Sequence, residues 1–255
     1  MHYHKKKEKK KKTDLIYGRH PVIEGIENGI NLEKVFLQLG TRGDFEKQLR
    51  RLCRIHEIPL QVIPKERMNK WTRQNHQGVI GIIGLIRYYK IEDILPAIYE
   101  KNESPFIVIL DGITDVRNFG AIARSAEVCG AHAIIVPGKG TAQINSEAIK
   151  TSAGALNIIP VCRDTSVVNA IKTLQLSGVQ VFASSLNAKQ PLHKFDLTGP
   201  IAFVLGAEGE GISSQAEKAA DETFIIPQKG QTDSFNVSVA GGIMFYEVMK
   251  GRFSN

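Results

Sequence analysis

The spacing of apolar residues along the chain changes at about residue 105. From Pro105 onward, apolar runs of four or five residues alternate with stretches in which apolar residues recur at helical spacing. Short runs of this kind are typical of parallel strands covered on both faces. The pattern predicts strands at residues 106–110, 133–136, 179–183, 201–205 and 223–226 and helices at residues 121–129, 146–155, 166–176, 212–220 and 236–249. Such alternation predicts a doubly wound α/β sheet.

The residues before Pro105 predict a second, smaller α/β unit. The pattern there indicates helices at residues 22–28 and 45–56 and strands at residues 34–39, 60–63 and 78–86. Residues 91–99 could form a helix despite Pro96, and the polar stretch 100–104 then meets Pro105. We therefore predict a basic, disordered tail at residues 1–13, a domain at residues 14–90, a linker at residues 91–104 and a second domain at residues 105–255.

The positive charge of the 255-residue chain is concentrated at its N-terminus. Residues 1–12 contain seven lysines and Glu8, so they contribute +6 of the formal net charge of +7. Like charges without apolar residues to bury predict disorder. Such a tail could be an arm that contacts phosphate groups without reading a sequence, or it could only increase solubility.

The remaining composition is that of an ordinary globular protein, with 42% hydrophobic and 23% charged residues. The three cysteines are widely spaced and form no C-x-x-C, so neither a disulfide framework nor a zinc site follows. Cys129 and Cys162 lie in apolar stretches, which favours small core residues. No apolar run has the length of a membrane span, and no signal-peptide core follows the charged N-terminus. We therefore expect a reduced, cytoplasmic protein without a membrane partner.

Three short polar segments stand at the edges of predicted strands and helices, where α/β enzymes collect their site residues. The first segment runs from residue 115 to Gly120 and continues to Arg124. Asn118 lies near the predicted start of a helix, whose free N–H groups suit a phosphate. The alternative is that Asn118 only caps the helix and that Arg124 is merely solvated.

The second and third segments lie near the C-terminus. Residues 206–211 read G-A-E-G-E-G and fit neither G-x-G-x-x-G nor a P-loop, which disfavours a nicotinamide or nucleoside-triphosphate site. Glu208, flanked by glycines, is either a site residue or a loop charge. The third segment is Ile226-Pro227 followed by Ser234-Phe235-Asn236, in which Ser234 or Asn236 could cap the last helix.

Together and in this order, the three segments resemble the SpoU/TrmH family of RNA ribose 2′-O-methyltransferases. Residues 105–250 are similar to the family's catalytic domain. Residues 14–88 are similar to its N-terminal RNA-binding module, including Gly18-Arg19-His20 and the segment 75–79. The resemblance implies a catalytic domain with a Rossmann-like parallel sheet and a SPOUT-type trefoil knot, which periodicity alone would exclude because knots are rare.

The resemblance also implies a cofactor, an assembly and a set of site residues. S-adenosylmethionine would bind in the knot, no metal would be required, and a homodimer would complete the site across its interface. The implied cofactor-binding residues are Leu205, Gly206, Ala207, Ile226, Pro227, Phe235 and Asn236, and the implied catalytic residues are Asn118, Arg124, Glu208, Ser234 and Asn236. Many members have Pro, Met and Leu where this chain has Val116, Gln228 and Phe235.

The resulting prediction is methyl transfer to a ribose 2′-hydroxyl, of a guanosine in 23S ribosomal RNA or its precursor. Asn118 and Glu208 would orient the ribose and Arg124. Arg124 would act as a base or as a phosphate clamp, although free arginine is effectively always protonated. The alternatives are a tRNA methylase, an antibiotic-resistance methylase and a non-catalytic RNA-binding or ribosome-assembly protein on the same fold.

Overall fold

The computed structural model describes residues 15–138, 140–142, 144–231 and 234–253. The chain divides into two compact units, the first ending at Gly84 and the second beginning at Leu85. The predicted basic tail lies outside the described residues.

The first unit is a small sheet with helices, in which both parallel and antiparallel strands occur. Its elements are β1 (Leu15–Tyr17), α1 (Arg19–Glu27), β2 (Leu32–Gln38), α2 (Asp44–Ile55), β3 (Leu60–Ile63), α3 (Lys65–Met68) and β4 (Val79–Ile83). Its described residues form four strands in the order β1-β4-β2-β3, and only β2 and β3 pair in parallel. One face buries Val22, Leu49 and Leu52 of the two long helices, and the other face buries Phe36 and Met68.

The second unit contains the larger sheet. Its strands are β5 (Tyr88–Tyr89), β6 (Phe106–Asp111), β7 (Ala133–Pro137), β8 (Val161–Asp164), β9 (Gln180–Ser184), β10 (Ile201–Gly206) and β11 (Glu222–Phe224). Among the described residues, the seven strands are parallel in the order β11-β9-β10-β6-β7-β8-β5. The predicted α/β class with a parallel sheet is confirmed.

Helices cover both faces of this sheet, as a doubly wound arrangement requires. They are α4 (Ile91–Glu100), α5 (Val116–Val128), α6 (Ser146–Thr151), α7 (Val167–Leu176), α8 (Ser214–Ala219) and α9 (Val237–Phe253), with 3₁₀ turns at Ala155–Asn157 and Leu192–Lys194. Helices α5 and α9 pack in one apolar core and α4 and α7 in the other. None of the helices in the described ranges is long and apolar enough to cross a membrane.

The structure differs from the predicted organisation at the linker. Residues 91–100 form α4, whose Ile91, Leu95 and Ile98 are buried in the core of the second unit. Burying these apolar side chains is more favourable than leaving them exposed to solvent in a linker. The helix therefore belongs to the second unit, and the division falls at Gly84–Leu85.

Burial raises the pKa of the buried cysteine thiols. Cys53 and Cys162 are buried free thiols, and burial raises the pKa of Cys53 to about 11 and that of Cys162 to about 12. Cys162 is the core residue that was predicted, whereas Cys129 is only partly buried against the core. Thiols with raised pKa values are poor nucleophiles.

Candidate functional site

The first two polar segments meet because their strands are neighbours. Strands β6 and β10 pair in parallel with Asp111 opposite Gly206, so the loops after both strands leave from the same edge of the sheet. The Asp111 carboxylate accepts a 2.7 Å hydrogen bond from the Ser213 N–H at the start of α8. This bond fixes the two loops relative to each other.

Helix α5 begins earlier than predicted because Asp115, and not Asn118, is its N-cap. The Asp115 carboxylate accepts hydrogen bonds from the backbone N–H groups of Arg117 (2.7 Å) and Asn118 (3.0 Å). These two donors hold the pKa of the Asp115 carboxyl below its ordinary value. The Asn118 side chain is thereby left available for contacts outside its own helix.

Three of the predicted site residues form one hydrogen-bonded network. The Asn118 amide Nδ2 donates to Glu208 Oε2 (3.3 Å). The Asn236 amide Nδ2 donates to Asn118 Oδ1 (3.1 Å) and lies 3.5 Å from Glu208 Oε2. We call Asn118, Glu208 and Asn236 the polar triad. One residue from each polar segment contributes to it.

Ser238, which the sequence did not single out, sets the orientation of the triad. Its backbone N–H (3.0 Å) and its hydroxyl (2.6 Å) both donate to Asn236 Oδ1. The amide Nδ2 of Asn236 must therefore face Asn118 and Glu208, and Asn118 must present its oxygen to Asn236. Asn236 is also the N-cap of α9, because its backbone carbonyl accepts from Ala240 N–H at 2.9 Å.

The glycine-rich loop after β10 is built by close backbone contact. A Cβ on Gly206 would overlap the backbone carbon of Gly211, so no side chain fits there. Gly211 donates its N–H to the Ala207 carbonyl (2.8 Å) and has a φ of +73°. The tight turn exposes Glu208 at the loop and directs it toward Asn118 and Asn236.

A cavity of about 250 Å³ adjoins this loop at the carboxyl ends of β9 and β10. Five of the seven predicted cofactor-binding residues line it, and Pro227 and Asn236 do not. Of the predicted catalytic residues, Glu208 and Ser234 line it. The lining residues that the sequence missed include Ser184, Ser185, Leu186, Asn187, Ile225 and Met244. The segment after β9 carries no signal of its own, and only the order of the strands brings it to the site.

The structure does not bring Arg124 into the triad. Arg124 lies on the exposed side of α5 and forms no hydrogen bond or ion pair with any residue in the described ranges. Six residues of helix turn it roughly 120° away from Asn118. The expected contact of Asn118 and Glu208 with Arg124 is therefore missing within one chain. Arg117, by contrast, forms a 2.9 Å ion pair with Glu147.

In the first unit, the two segments that carried the resemblance lie side by side. The backbone N–H of Arg19 donates to Gln77 Oε1 (3.0 Å), and the Arg19 side chain donates to the Gln77 carbonyl (3.3 Å). The buried His76 accepts from Gly78 N–H at Nδ1 (3.1 Å) and contacts Asn69 at Nε2 (3.1 Å). Burial lowers the pKa of His76, and its two hydrogen bonds make this residue a structural link between Asn69 and Gly78.

Comparison with known proteins gives the same two regions. Residues 105–246 match the model of the SpoU rRNA Methylase family, and residues 15–89 match the model for RNA 2′-O ribose methyltransferase substrate binding. The chain is 34% identical over 247 residues to the 23S rRNA (guanosine-2′-O-)-methyltransferase RlmB of Escherichia coli K12, which covers 94% of this chain and 99% of the relative. It is 30% identical over 239 residues to YacO of Bacillus subtilis 168, named a TrmH family tRNA/rRNA methyltransferase (94% and 96% covered).

A solved structure agrees with these relatives. The AdoMet-bound rRNA methyltransferase from Sinorhizobium meliloti superimposes with a TM-score of 0.59 at 25% identity, over 94% of this chain and 87% of that one. The parallel sheet, the loops at its carboxyl edge and the substrate-binding unit define an S-adenosylmethionine-dependent RNA ribose 2′-O-methyltransferase. The chain belongs to the SpoU rRNA Methylase family. Membership implies the trefoil knot, and the predicted family, enzyme class and methyl donor are confirmed.

The cavity has the chemistry that a sulfonium nucleoside requires. Leu205, Ile226 and Met244 supply apolar walls for a purine. The charged side chains among the described lining residues are the three carboxylates Glu208, Glu210 and Glu217, which favour a cationic ligand. No group of three His, Cys, Asp or Glu side chains that could hold a metal occurs in the described part of the chain.

Proposed function

We propose that the protein methylates the ribose 2′-hydroxyl of a guanosine in 23S ribosomal RNA, acting as a cytoplasmic homodimer. The observation that carries the residue-level proposal is the polar triad, in which Glu208 both lines the cavity and accepts amide hydrogen bonds. The 34% identity to the RlmB relative over 94% of the chain supports the 23S substrate.

The cofactor, when bound, supplies an electrophilic methyl group on a good leaving group. Leu205, Gly206, Ala207, Ile226, Pro227, Phe235 and Asn236 are proposed to hold it. Ser234 and the triad are proposed to hold the ribose, so that the 2′-oxygen lies in line with the methyl group. Such alignment accounts for much of the acceleration of group transfers.

Arg124 is proposed to act on the RNA phosphate or on the 2′-hydroxyl proton. Its exposure and its lack of an ion pair with the described residues leave the guanidinium available for a phosphate. Because Arg124 lies away from the triad of its own chain, a site completed across a dimer interface would bring one subunit's Arg124 to the other subunit's triad.

The outward side of α9 supports a homodimer. Val239, Tyr246 and Phe253 recur every seven residues and are 51%, 54% and 82% exposed. A helix with buried residues on one side and an apolar, aromatic stripe on the other is suited to a second layer. Light scattering at micromolar concentration should give twice the 28.2 kDa chain mass. A monomer mass there would contradict the dimer.

The substrate is tested by methyl transfer from radiolabelled S-adenosylmethionine to 23S ribosomal RNA and to bulk tRNA. We expect label in 23S RNA at one guanosine 2′-oxygen. Label in tRNA alone would identify the tRNA methylase that the YacO name also allows. No transfer to either RNA, by a protein that binds the cofactor, would favour a non-catalytic RNA-binding role.

A further inference from the structure

Trp71 in the first unit is the only tryptophan of the chain, and it is 39% exposed. Trp71 follows α3, and its backbone N–H donates to the Met68 carbonyl at 2.9 Å. Its ring centroid lies 5.4 Å from that of Phe36, which is buried on the sheet face opposite α1 and α2. Trp71 is thus held in place by packing while more than a third of its surface faces solvent.

The segment that carries Trp71 is basic. Residues 15–84 contain eleven Lys and Arg residues and seven Asp and Glu residues, a formal net charge of +4. The segment 65–73 holds four of those cations and one of the acids, so these nine residues carry +3 of the net charge of +4. We call this segment the Trp71 surface. Its cations are Lys65, Arg67, Lys70 and Arg73, and all four are exposed.

The cations of the Trp71 surface differ from those of α2. On α2, Arg50 pairs with Glu46 at 2.9 Å and Lys47 lies 3.7 Å from Asp44. Within the described ranges, none of the four cations around Trp71 forms an ion pair. Their charge is available to an external anion, whereas the charge of α2 is partly neutralised.

We propose that the Trp71 surface binds an unpaired stretch of the RNA substrate, with one base stacked on Trp71 and the flanking phosphates on the surrounding cations. The inference rests on the proposed RNA substrate. Aromatic side chains among cations are the common means of holding single-stranded RNA, because every base offers a face for stacking. A duplex keeps its bases paired and stacked, so it can use only the cations.

The single tryptophan makes the test direct. The full chain is titrated with a single-stranded oligoadenylate and with a blunt RNA duplex of equal charge, while Trp71 fluorescence and the anisotropy of a labelled RNA are followed. The oligoadenylate should quench Trp71 in step with binding, and the duplex should bind without quenching. Binding of the oligoadenylate without a change in fluorescence would overturn the proposal.

Variants separate stacking from packing. Trp71→Phe keeps an aromatic face and should bind the oligoadenylate within about threefold of wild type, whereas Trp71→Leu should lose about tenfold or more. The melting temperature of each variant is measured to check that the packing against Phe36 is retained. Lys70→Gln should weaken binding and Arg50→Gln, the paired control, should not. Unchanged affinity of a folded Trp71→Leu variant would overturn the proposal.

Methylation of 23S RNA by wild type is measured in parallel. Stacking at Trp71 without methylation would contradict the proposed substrate and leave the Trp71 surface standing. Methylation of 23S RNA by wild type, together with unchanged oligoadenylate affinity of Trp71→Leu, would support the proposed substrate and overturn the proposal for the Trp71 surface.

Discussion

Two groups of polar side chains, one in each unit, are arranged in opposite ways. In the second, catalytic unit, Asn118, Glu208 and Asn236 bond to one another, and Ser238 fixes the orientation of the amides. In the first unit, the cations of residues 65–73 form no ion pair within the described ranges. Internal hydrogen bonds fix geometry before the substrate arrives, which favours rate. Unpaired cations favour attraction and affinity. The comparison predicts that substitutions in the polar triad will lower the rate of methyl transfer, and that substitutions in the Trp71 surface will lower the affinity for RNA.

Arg252 and Arg124, two of the arginines of the second unit, show the same contrast between internally bonded and unpaired side chains. Arg252 donates to the carbonyls of Ser104, Pro105 and Gly199 at 2.8 to 3.0 Å, and burial lowers the pKa of its guanidinium. Those bonds join the end of α9 to the strand edges and make Arg252 structural. Arg124 has no such partners in the described ranges, which makes it the candidate for substrate contact.

The largest expected effect is that of Arg124→Ala. It should lower methyl transfer by about 10² to 10³-fold, because in the proposed function the Arg124 charge acts on the reacting ribose-phosphate. Cofactor affinity, measured by calorimetry, should stay within about twofold. Arg124→Lys should keep partial activity if the residue clamps a phosphate, since charge remains without the planar fork. Arg117→Ala, on the same helix and paired with Glu147, is the control and should retain activity.

Next in size is Asn236→Asp. The replacement keeps the oxygen that caps α9 and accepts from Ser238, but it places a second oxygen near Glu208 Oε2 and Asn118 Oδ1. Repulsion should displace the triad and lower the single-turnover rate by about 10²-fold. Asn145→Asp is the control, because the Asn145 side-chain oxygen also accepts from the backbone N–H two residues further on and Asn145 lies outside the triad. Equal rates in the two variants would exclude a special role for Asn236.

A smaller effect is expected from Ser238→Ala. The backbone N–H still donates to Asn236 Oδ1, so only the 2.6 Å hydrogen bond of the hydroxyl is removed. A hydrogen bond of this kind contributes about 1 kcal/mol, which corresponds to roughly a fivefold loss of rate. Ser238→Thr keeps the hydroxyl and should restore the rate. A rate unchanged in Ser238→Ala would show that the amide orientation needs no hydroxyl.

Deleting residues 1–12 should affect RNA binding alone. The +6 charge of this segment could neutralise up to about six phosphates, and each phosphate left without its lysine makes the slope of log affinity against log salt shallower by roughly 0.9 on a duplex. RNA affinity is measured between about 50 and 200 mM salt, a range over which several phosphate contacts change affinity by tenfold or more. An unchanged slope would leave the tail a solubilising segment.

The smallest effect concerns pH and Asp115. Two N–H donors lower the pKa of this carboxyl in the folded protein, so its stabilising contribution is complete above the ordinary pKa and disappears as pH falls through the lowered value. Asp115→Asn keeps an acceptor for the cap without titration and should flatten this part of the acid unfolding curve. Asp115→Ala should cost about 1 kcal/mol at neutral pH. Identical acid midpoints in wild type and Asp115→Asn would contradict the assignment.

The sequence predicted five of the seven described strands of the larger sheet, because those five are short and mostly apolar. It missed β8, whose four residues end in Arg163 and Asp164, and β5, which has only two residues and therefore no period. The three polar segments were recognised because each adjoins a strand or a helix. Ser184 to Asn187 and Ser238 were not, since their importance depends on which strands are neighbours and which amide faces which oxygen.

The knot depends on contacts between residues far apart in sequence, which periodicity does not encode. After β11 the chain runs beside residues 190–192, where Ile225 N–H donates to the Gln190 carbonyl at 3.0 Å, and only then forms α9. The family resemblance implied the knot, and the local pattern did not.

The measurement that tests the central claim most directly is single-turnover methyl transfer at saturating 23S RNA, compared with RNA affinity, for Asn236→Asp and Trp71→Leu. Asn236→Asp should lose about 10²-fold in rate with RNA affinity near wild type. Trp71→Leu should lose about tenfold in affinity with a wild-type rate once RNA is saturating. If the rate and the RNA affinity fell together in both variants, the claim that the triad controls the rate and the Trp71 surface controls RNA affinity would be contradicted.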